Sequence, residues 1–144
     1  MNVTDLKTTQ LDCLAELLGR EMLPVSDLHS ADWFALRGIE DQGNIIAAGG
    51  LEQCGKALLL RSVVVASQFR GKGLGQIIVG DLHSKARSAG YRNIYLMTMD
   101  AESWFEKNFS YEVMDRAEVP ADIAVSSQFT HTCPGTASLM VVSI

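Results

Sequence analysis

Leu59-Leu60-Arg61-Ser62-Val63-Val64-Val65-Ala66-Ser67-Gln68-Phe69-Arg70-Gly71-Lys72-Gly73-Leu74-Gly75 is the stretch that decides the fold. It opens as an apolar run interrupted by Arg61 and Ser62, which reads as a buried strand. It continues through a short loop with glycine at alternate positions, and it ends on the first residues of a long amphipathic helix. In that helix Leu74, Ile77, Ile78, Leu82, Ala86 and Ala89 recur at spacings of three and four, while Asp81, Lys85 and Arg87 fall elsewhere on the wheel. Gly90 stands where a helix-ending glycine belongs. Positions without a side chain let a backbone approach a ligand closely. The first amides of a helix have no partner inside it, and the helix dipole adds positive potential there. The segment is therefore an anion site suited to phosphate, with the charges of Arg70 and Lys72 beside it.

On the N-terminal side, Leu6, Leu11, Leu14, Leu17 and Leu18 give residues 6–18 one apolar helical face. Pro24 disfavours helix at the residue before it and ends that element. Residues 24–31 read as a polar loop. Residues 33–40 and 44–52 read as strands joined at Asp41-Gln42-Gly43, and Gly55 marks a second turn before a strand over residues 57–65. Downstream, residues 94–99 predict a strand, 101–108 a short helix and 111–114 a short strand. Pro120 opens another short helix reaching about Gln128. Cys133-Pro134-Gly135 is a turn, and residues 137–142 form a last strand. A helix and an antiparallel meander, followed by strands alternating with helices, predict one α/β (α+β) domain over residues 1–144.

Composition narrows the chemistry. The 144 residues are 47% hydrophobic and 20% charged, as in a compact globule rather than a disordered chain. Seventeen acids against twelve bases give a net charge of −5, which argues against nucleic-acid binding. No apolar run approaches the ~20 residues of a membrane helix, and residues 1–10 carry no secretory pattern. Cys13, Cys54 and Cys133 are scattered, with no Cys-x-x-Cys pair. Neither a disulfide framework nor a metal site is expected, and the expected compartment is a reducing cytoplasm.

The loop discriminates between phosphate ligands. A Walker A motif needs Ser or Thr where Gly73 follows Gly71-Lys72. A dinucleotide fingerprint needs glycine where Gln76 or Ile78 stands. Arg70-x-x-Gly73-x-Gly75 instead resembles the pyrophosphate loop of the GNAT N-acetyltransferase family. Tyr95-Leu96-Met97-Thr98-Met99, followed by residues 101–107 with Trp104-Phe105, is similar to the family's fifth strand and fourth helix, in particular those of N-acetylglutamate synthases. Val119-Pro120, Cys133-Pro134 and Ala137-Ser138-Leu139-Met140 resemble small acetyltransferases associated with arsenic resistance.

The resemblance implies a mixed, mostly antiparallel sheet splayed around acetyl-CoA, with flanking helices. Val63, Val64 and Val65 would pair with the pantetheine arm, and Arg70, Gly71, Lys72, Gly73, Leu74 and Gly75 would hold the pyrophosphate. It further implies direct transfer of acetyl, in a ternary complex, to a primary amine of a small molecule such as an amino acid or an analogue. The alternatives are a peptide or protein N-acetyltransferase and a non-catalytic acetyl-CoA sensor. The thioester carbonyl would be polarised by the amide of Val64 or Val65, with Val64 the chosen catalytic residue. Glu52 is the first choice of general base, ahead of Glu40 and Glu118. Phe105 fills the family's tyrosine slot, which leaves the thiolate to water, and Ser110 replaces a glycine before Tyr111.

Two further residues point to the acceptor. Arg61 on a core strand needs an anionic partner, either a substrate carboxylate or a protein Asp or Glu. Thr98 either lines the acceptor pocket or is an ordinary strand residue. Trp104 and Phe105 read as core packing, and Cys133 as pocket wall or buried filler. The apolar ending, residues 137–144, would make an adhesive edge strand and predicts a homodimer.

Overall fold

The computed structural model describes residues 2–126, 129, 130 and 136–144. Its elements are β1 (Thr4–Asp5), α1 (Leu11–Arg20), β2 (Trp33–Asp41), β3 (Asn44–Cys54), β4 (Ala57–Val65), α2 (Leu74–Ser88), β5 (Asn93–Thr98), α3 (Glu102–Phe109), β6 (Glu112–Met114), α4 (Ala121–Ala124) and β7 (Ser138–Ser143). The strands form one seven-stranded sheet in the order β1-β2-β3-β4-β5-β7-β6. Neighbours are antiparallel except β4 and β5, which run parallel. This is the mixed α/β architecture expected.

Two clusters of side chains hold the helices on the sheet. Leu11, Leu14, Leu17 and Leu18 of α1 pack with Leu36, Ile45, Ala48 and Val64. Leu74, Ile78, Val79, Leu82 and Ala86 of α2 pack with Ile39, Ala47, Leu96 and Met140 in the other cluster, where Val63 and Val65 also rest. Val64 thus faces one cluster and its two neighbours the other, as strand alternation requires.

The β4–β5 junction shapes the molecule. The two strands pair only at Leu59 with Tyr95 and Leu60 with Leu96. Beyond that point β5 stays with β7 as far as Thr98, and β4 stays with β3 as far as Val65. A bulge accompanies the parting. Ala48 pairs with Val64 and Gly50 with Arg61, so Ser62 and Val63 together oppose Gly49. Ser62 takes φ 60°, the left-handed conformation found at the first residue of one class of bulge.

Two expectations change. The first turn of the predicted N-terminal helix is a separate 3₁₀ turn at Thr8–Gln10, and α1 begins at Leu11. The C-terminal strand is not an edge: β7 is hydrogen-bonded to β5 on one side and β6 on the other. The argument for a dimer from an exposed apolar terminus therefore falls away. Gln128 and the turn expected at Cys133-Pro134-Gly135 lie outside the described residues.

Two side-chain environments give testable consequences. Ser110 ends α3 at φ 62°, a conformation in which a Cβ clashes with the backbone. Ser110→Gly is expected to stabilise the fold by about 1 kcal/mol, read as a rise in the urea midpoint at unchanged slope. His83 on α2 is buried, and its Nε2 lies 2.8 Å from the Tyr111 hydroxyl. Burial, aided by the Arg87 charge, lowers its pKa to about 4. The unfolded chain therefore binds the extra proton first. The contribution is complete above the ordinary histidine range and is lost as pH falls from ~6.5 towards 4. The melting temperature should drop across that interval, and His83→Gln should flatten the drop.

Candidate functional site

Where β4 and β5 part, a cleft of about 1180 Å³ opens. One wall is β4 from Leu60 to Val65, and the opposite wall runs from Leu96 through Ala101 to Trp104 and Phe105. The glycine loop and the start of α2 close one end. Residues 21–26, which follow α1, border the cleft as well.

The loop has the conformation of an anion cradle. Gly73 caps α2 at φ 78°, and the helical hydrogen bonds begin only with Ile77 donating to the Gly73 carbonyl. The amides of Leu74, Gly75 and Gln76 precede that first bond and have no partner further back in the helix. Gly75 serves a different purpose: a Cβ there would lie 3.3 Å from the Trp104 ring. Its absence lets α2 and α3 approach. Of the two basic residues, Arg70 lines the cleft, where its guanidinium meets Glu21 and its Nε donates to the Val65 carbonyl at 3.4 Å. Ser67 Oγ donates to the same Glu21 carboxylate at 2.9 Å. Lys72 is exposed and is not part of the cleft wall; its Nζ sits 5.3 Å from the centre of the Phe69 ring.

Along β4 the backbone alternates. The Ala66 amide donates to Ile46 of β3 at 2.8 Å. The antiparallel pattern then turns the Val64 amide towards Ala48, and those of Val63 and Val65 towards the side that β5 has left. The amide facing the cleft is therefore that of Val65 rather than Val64.

Glu52 and Arg61 are brought together. Arg61 donates through Nη1 to Glu52 at 2.9 Å, and through Nη1 and Nη2 to Asp27 at 2.6 and 2.5 Å. Its side chain is 1% exposed, and Nε has no partner. Burial acts to lower the Arg61 pKa, but the hydrogen bonds it donates to Asp27 and Glu52 outweigh this and hold the guanidinium charged. Of the two partners the sequence left open for Arg61, the structure supplies protein carboxylates. Glu52 is the polar partner of that arginine and does not line the cleft. The cleft-lining carboxylates among the described residues are Glu21 and Asp100, and Asp100 is exposed just beyond the end of β5.

Thr98 lines the cleft, and its Oγ1 accepts a hydrogen bond from the Ala101 amide at 3.0 Å, fixing the turn into α3. Phe105 is buried among Trp104 and Tyr111, with ring centres 4.9 and 5.3 Å away. Tyr111 is also buried; desolvation raises its pKa, and its hydroxyl contacts His83, so no phenol reaches the cleft from either position. The Cys54 thiol is buried, and its pKa is pushed up to about 12, chiefly by that burial. Cys133 lies outside the described residues.

Sequence reading missed Glu21, Asp27 and Asp100. The need of a buried Arg61 for an anion was a signal for Asp27, but nothing in the spacing says that a loop 34 residues away supplies it.

The model of the acetyltransferase (GNAT) family matches residues 5–111. An acetyltransferase of the GNAT family from Staphylococcus aureus superposes with a TM-score of 0.79 at 14% identity, over 99% of this chain and 98% of that one. A Mycobacterium tuberculosis protein solved in complex with CoA gives 0.78 at 16% identity, over 100% and 99%. N-acetylglutamate synthase from Neisseria gonorrhoeae, complexed with coenzyme A and N-acetyl-glutamate, gives 0.78 at 14% identity; it covers 99% of this chain, which spans 34% of that one. At such identities the likeness is one of fold.

The loop geometry carries a prediction. Valine cannot hold φ 78° without strain, so Gly73→Val should rotate the amides away from a bound phosphate. Calorimetric titration with CoA should show affinity lowered at least ~10-fold, or ~1.4 kcal/mol. A folded variant with wild-type affinity would contradict the cradle.

Proposed function

The chain belongs to the acetyltransferase (GNAT) family, and from that premise we propose that it transfers acetyl from acetyl-CoA directly to a primary amine of a small molecule. The observation that carries the reading is the parting of β4 and β5 beside a helix-capping glycine loop. It leaves one strand edge and one set of helix amides facing a single cleft. The size of that cleft and its amide cradle suit a long phosphorylated thiol ester.

Each part of the cleft takes a role. The amides from Gly71 to Gly75 receive the pyrophosphate, with Arg70 and Lys72 supplying positive potential. The open edge of Val63 to Val65 pairs with the amides of the pantetheine arm. The Val65 amide, in place of Val64, donates to the thioester oxygen as negative charge develops there. Asp100, in place of Glu52, takes a proton from the attacking ammonium. The amine nitrogen bonds to the carbonyl carbon, the carbon–sulfur bond breaks, the proton held by Asp100 passes to the departing sulfur, and the second proton that the nitrogen loses goes to solvent. Asp100 thereby supplies the acid that Phe105 lacks. No cysteine among the described residues lines the cleft, which favours direct transfer over an acetyl-enzyme. Thr98 borders the acceptor end.

Arg61 no longer supports an acidic acceptor, because Asp27 and Glu52 already engage both of its terminal nitrogens. The acceptor class is accordingly a small primary amine, with or without a carboxylate. Consumption of acetyl-CoA over a panel of amino acids and simple amines tests it; retained CoA binding with no acetylation of any of them would exclude it. Asp100→Asn should lower kcat/KM by roughly 10²-fold or more at neutral pH. The loss should shrink as pH approaches the pKa of the amine, because less of the acceptor then needs deprotonation. Unchanged kcat/KM would return the base role to solvent.

A further inference from the structure

Residues 22–26 wall the cleft but belong to no strand. Their backbone contacts are local: Leu23 donates to Leu18, and Leu28 to Val25. Leu23 packs on the α1 cluster, and the polar ties to the sheet follow immediately after the wall. Asp27 grips both terminal nitrogens of Arg61 in β4. Leu28 is fully buried in the α1 cluster, and its carbonyl accepts from Trp33 Nε1 at 3.2 Å. The Trp33 ring lies 5.4 Å from the Arg61 guanidinium, which also binds Glu52 of β3. Arg61 itself directly follows Leu60, the last β4 residue paired with β5, and directly precedes the bulge. One guanidinium thus joins a cleft wall, the central hairpin and the apex of the cleft.

Stability alone is a weak reason for such a cluster. A buried ion pair is often replaceable by apolar residues at no loss, whereas removing one partner is costly. Two carboxylates crowd one guanidinium in the interior. Position is the better account. We propose that Asp27 is a positioning residue: through Arg61 it fixes the wall at residues 22–26 against the cleft apex, and so governs affinity for the acceptor and not for CoA. Asp27 does not itself line the cleft, whereas the glycine loop and the edge of Val63 to Val65 do, which separates the two affinities. This rests on the acetyl-transfer reading above.

The test compares wild type, Asp27→Asn and Trp33→Phe by three measurements: CoA affinity by calorimetry, amide hydrogen exchange by mass spectrometry, and KM for phenylethylamine as acceptor probe. For Asp27→Asn, exchange in residues 22–31 and KM for phenylethylamine should each rise ~10-fold or more, while exchange in β3 and β4 and CoA affinity stay within ~3-fold. Trp33→Phe keeps the ion pair and removes the bond to Leu28, so it should give the same pattern at about 3-fold. It decides the matter if Asp27→Asn does not fold. An equal loss of CoA affinity, or unchanged exchange in residues 22–31, overturns the proposal. If wild type binds CoA but leaves phenylethylamine unacetylated, the contrast between exchange and CoA affinity decides. If wild type binds no CoA, the acetyl-transfer reading fails and takes this proposal with it, whereas an intact CoA site with an insensitive wall sinks the proposal alone.

Discussion

Two backbone pairs, Leu59 with Tyr95 and Leu60 with Leu96, are all that join β4 to β5. A parallel pair continued to the ends of both strands would bury the edge of β4 in a ladder, and the sheet would be closed at its centre. Because the pairing stops, the amides of Val63 and Val65, which turn away from β3, are left without a strand partner on that side. Unpaired backbone groups away from water are costly, so an open edge inside a cleft is poised for a ligand with amides of its own. The bulge at Ser62 and Val63, the cradle at Gly73 and the arginine cluster at Arg61 all stand at or near the point of parting.

The cradle and the arginine cluster use charge in opposite ways. At the loop, helix amides and Arg70 gather positive potential in a chain of net charge −5, and although Arg70 pairs with Glu21, its exposure leaves it accessible to an arriving anion. At Arg61 the positive charge is fully enclosed and answered by Asp27 and Glu52. A cation of the first kind can recruit a ligand, whereas one of the second kind can only hold parts of the protein together. Exposure, more than residue type, divides the two arginines: the Arg70 side chain is 59% exposed and that of Arg61 1%.

Local signals carried the sequence reading far. The strand over Ala57–Val65 has the bounds expected of it, and the helix begins at Leu74 as the glycine spacing predicted. Gln42 and Gly43 both take positive φ in the β2–β3 turn, as a tight hairpin needs. Contacts remote in sequence were not legible. Nothing in residues 137–144 says that β7 lies between β5 and β6, because alternation and apolarity are the same in a central strand and an exposed one. Which amides of β4 face the cleft depends on the register with β3. A shift of one residue exchanges the amides of Val64 and Val65, so the choice between them is set by the pairing with β3 and not by the local sequence. Asp27 looked like one more polar residue of a loop until the fold placed Arg61 against it.

The position of β7 also bears on how the molecule assembles. The meander β2–β3–β4 pairs residues that are close in sequence, whereas β5 meets β7 at Asn93 with Ser143, across most of the C-terminal third of the chain. Among the described residues β6 pairs only with β7, so it cannot join the sheet before that strand. Closing long loops costs entropy before any contact repays it. On these grounds the meander, with α1 and α2 packed on it, is expected to form first, and the wall carrying Thr98, Asp100 and Phe105 to set last. The cleft is then the seam between a part of the chain that folds locally and a part that must wait for its final strand.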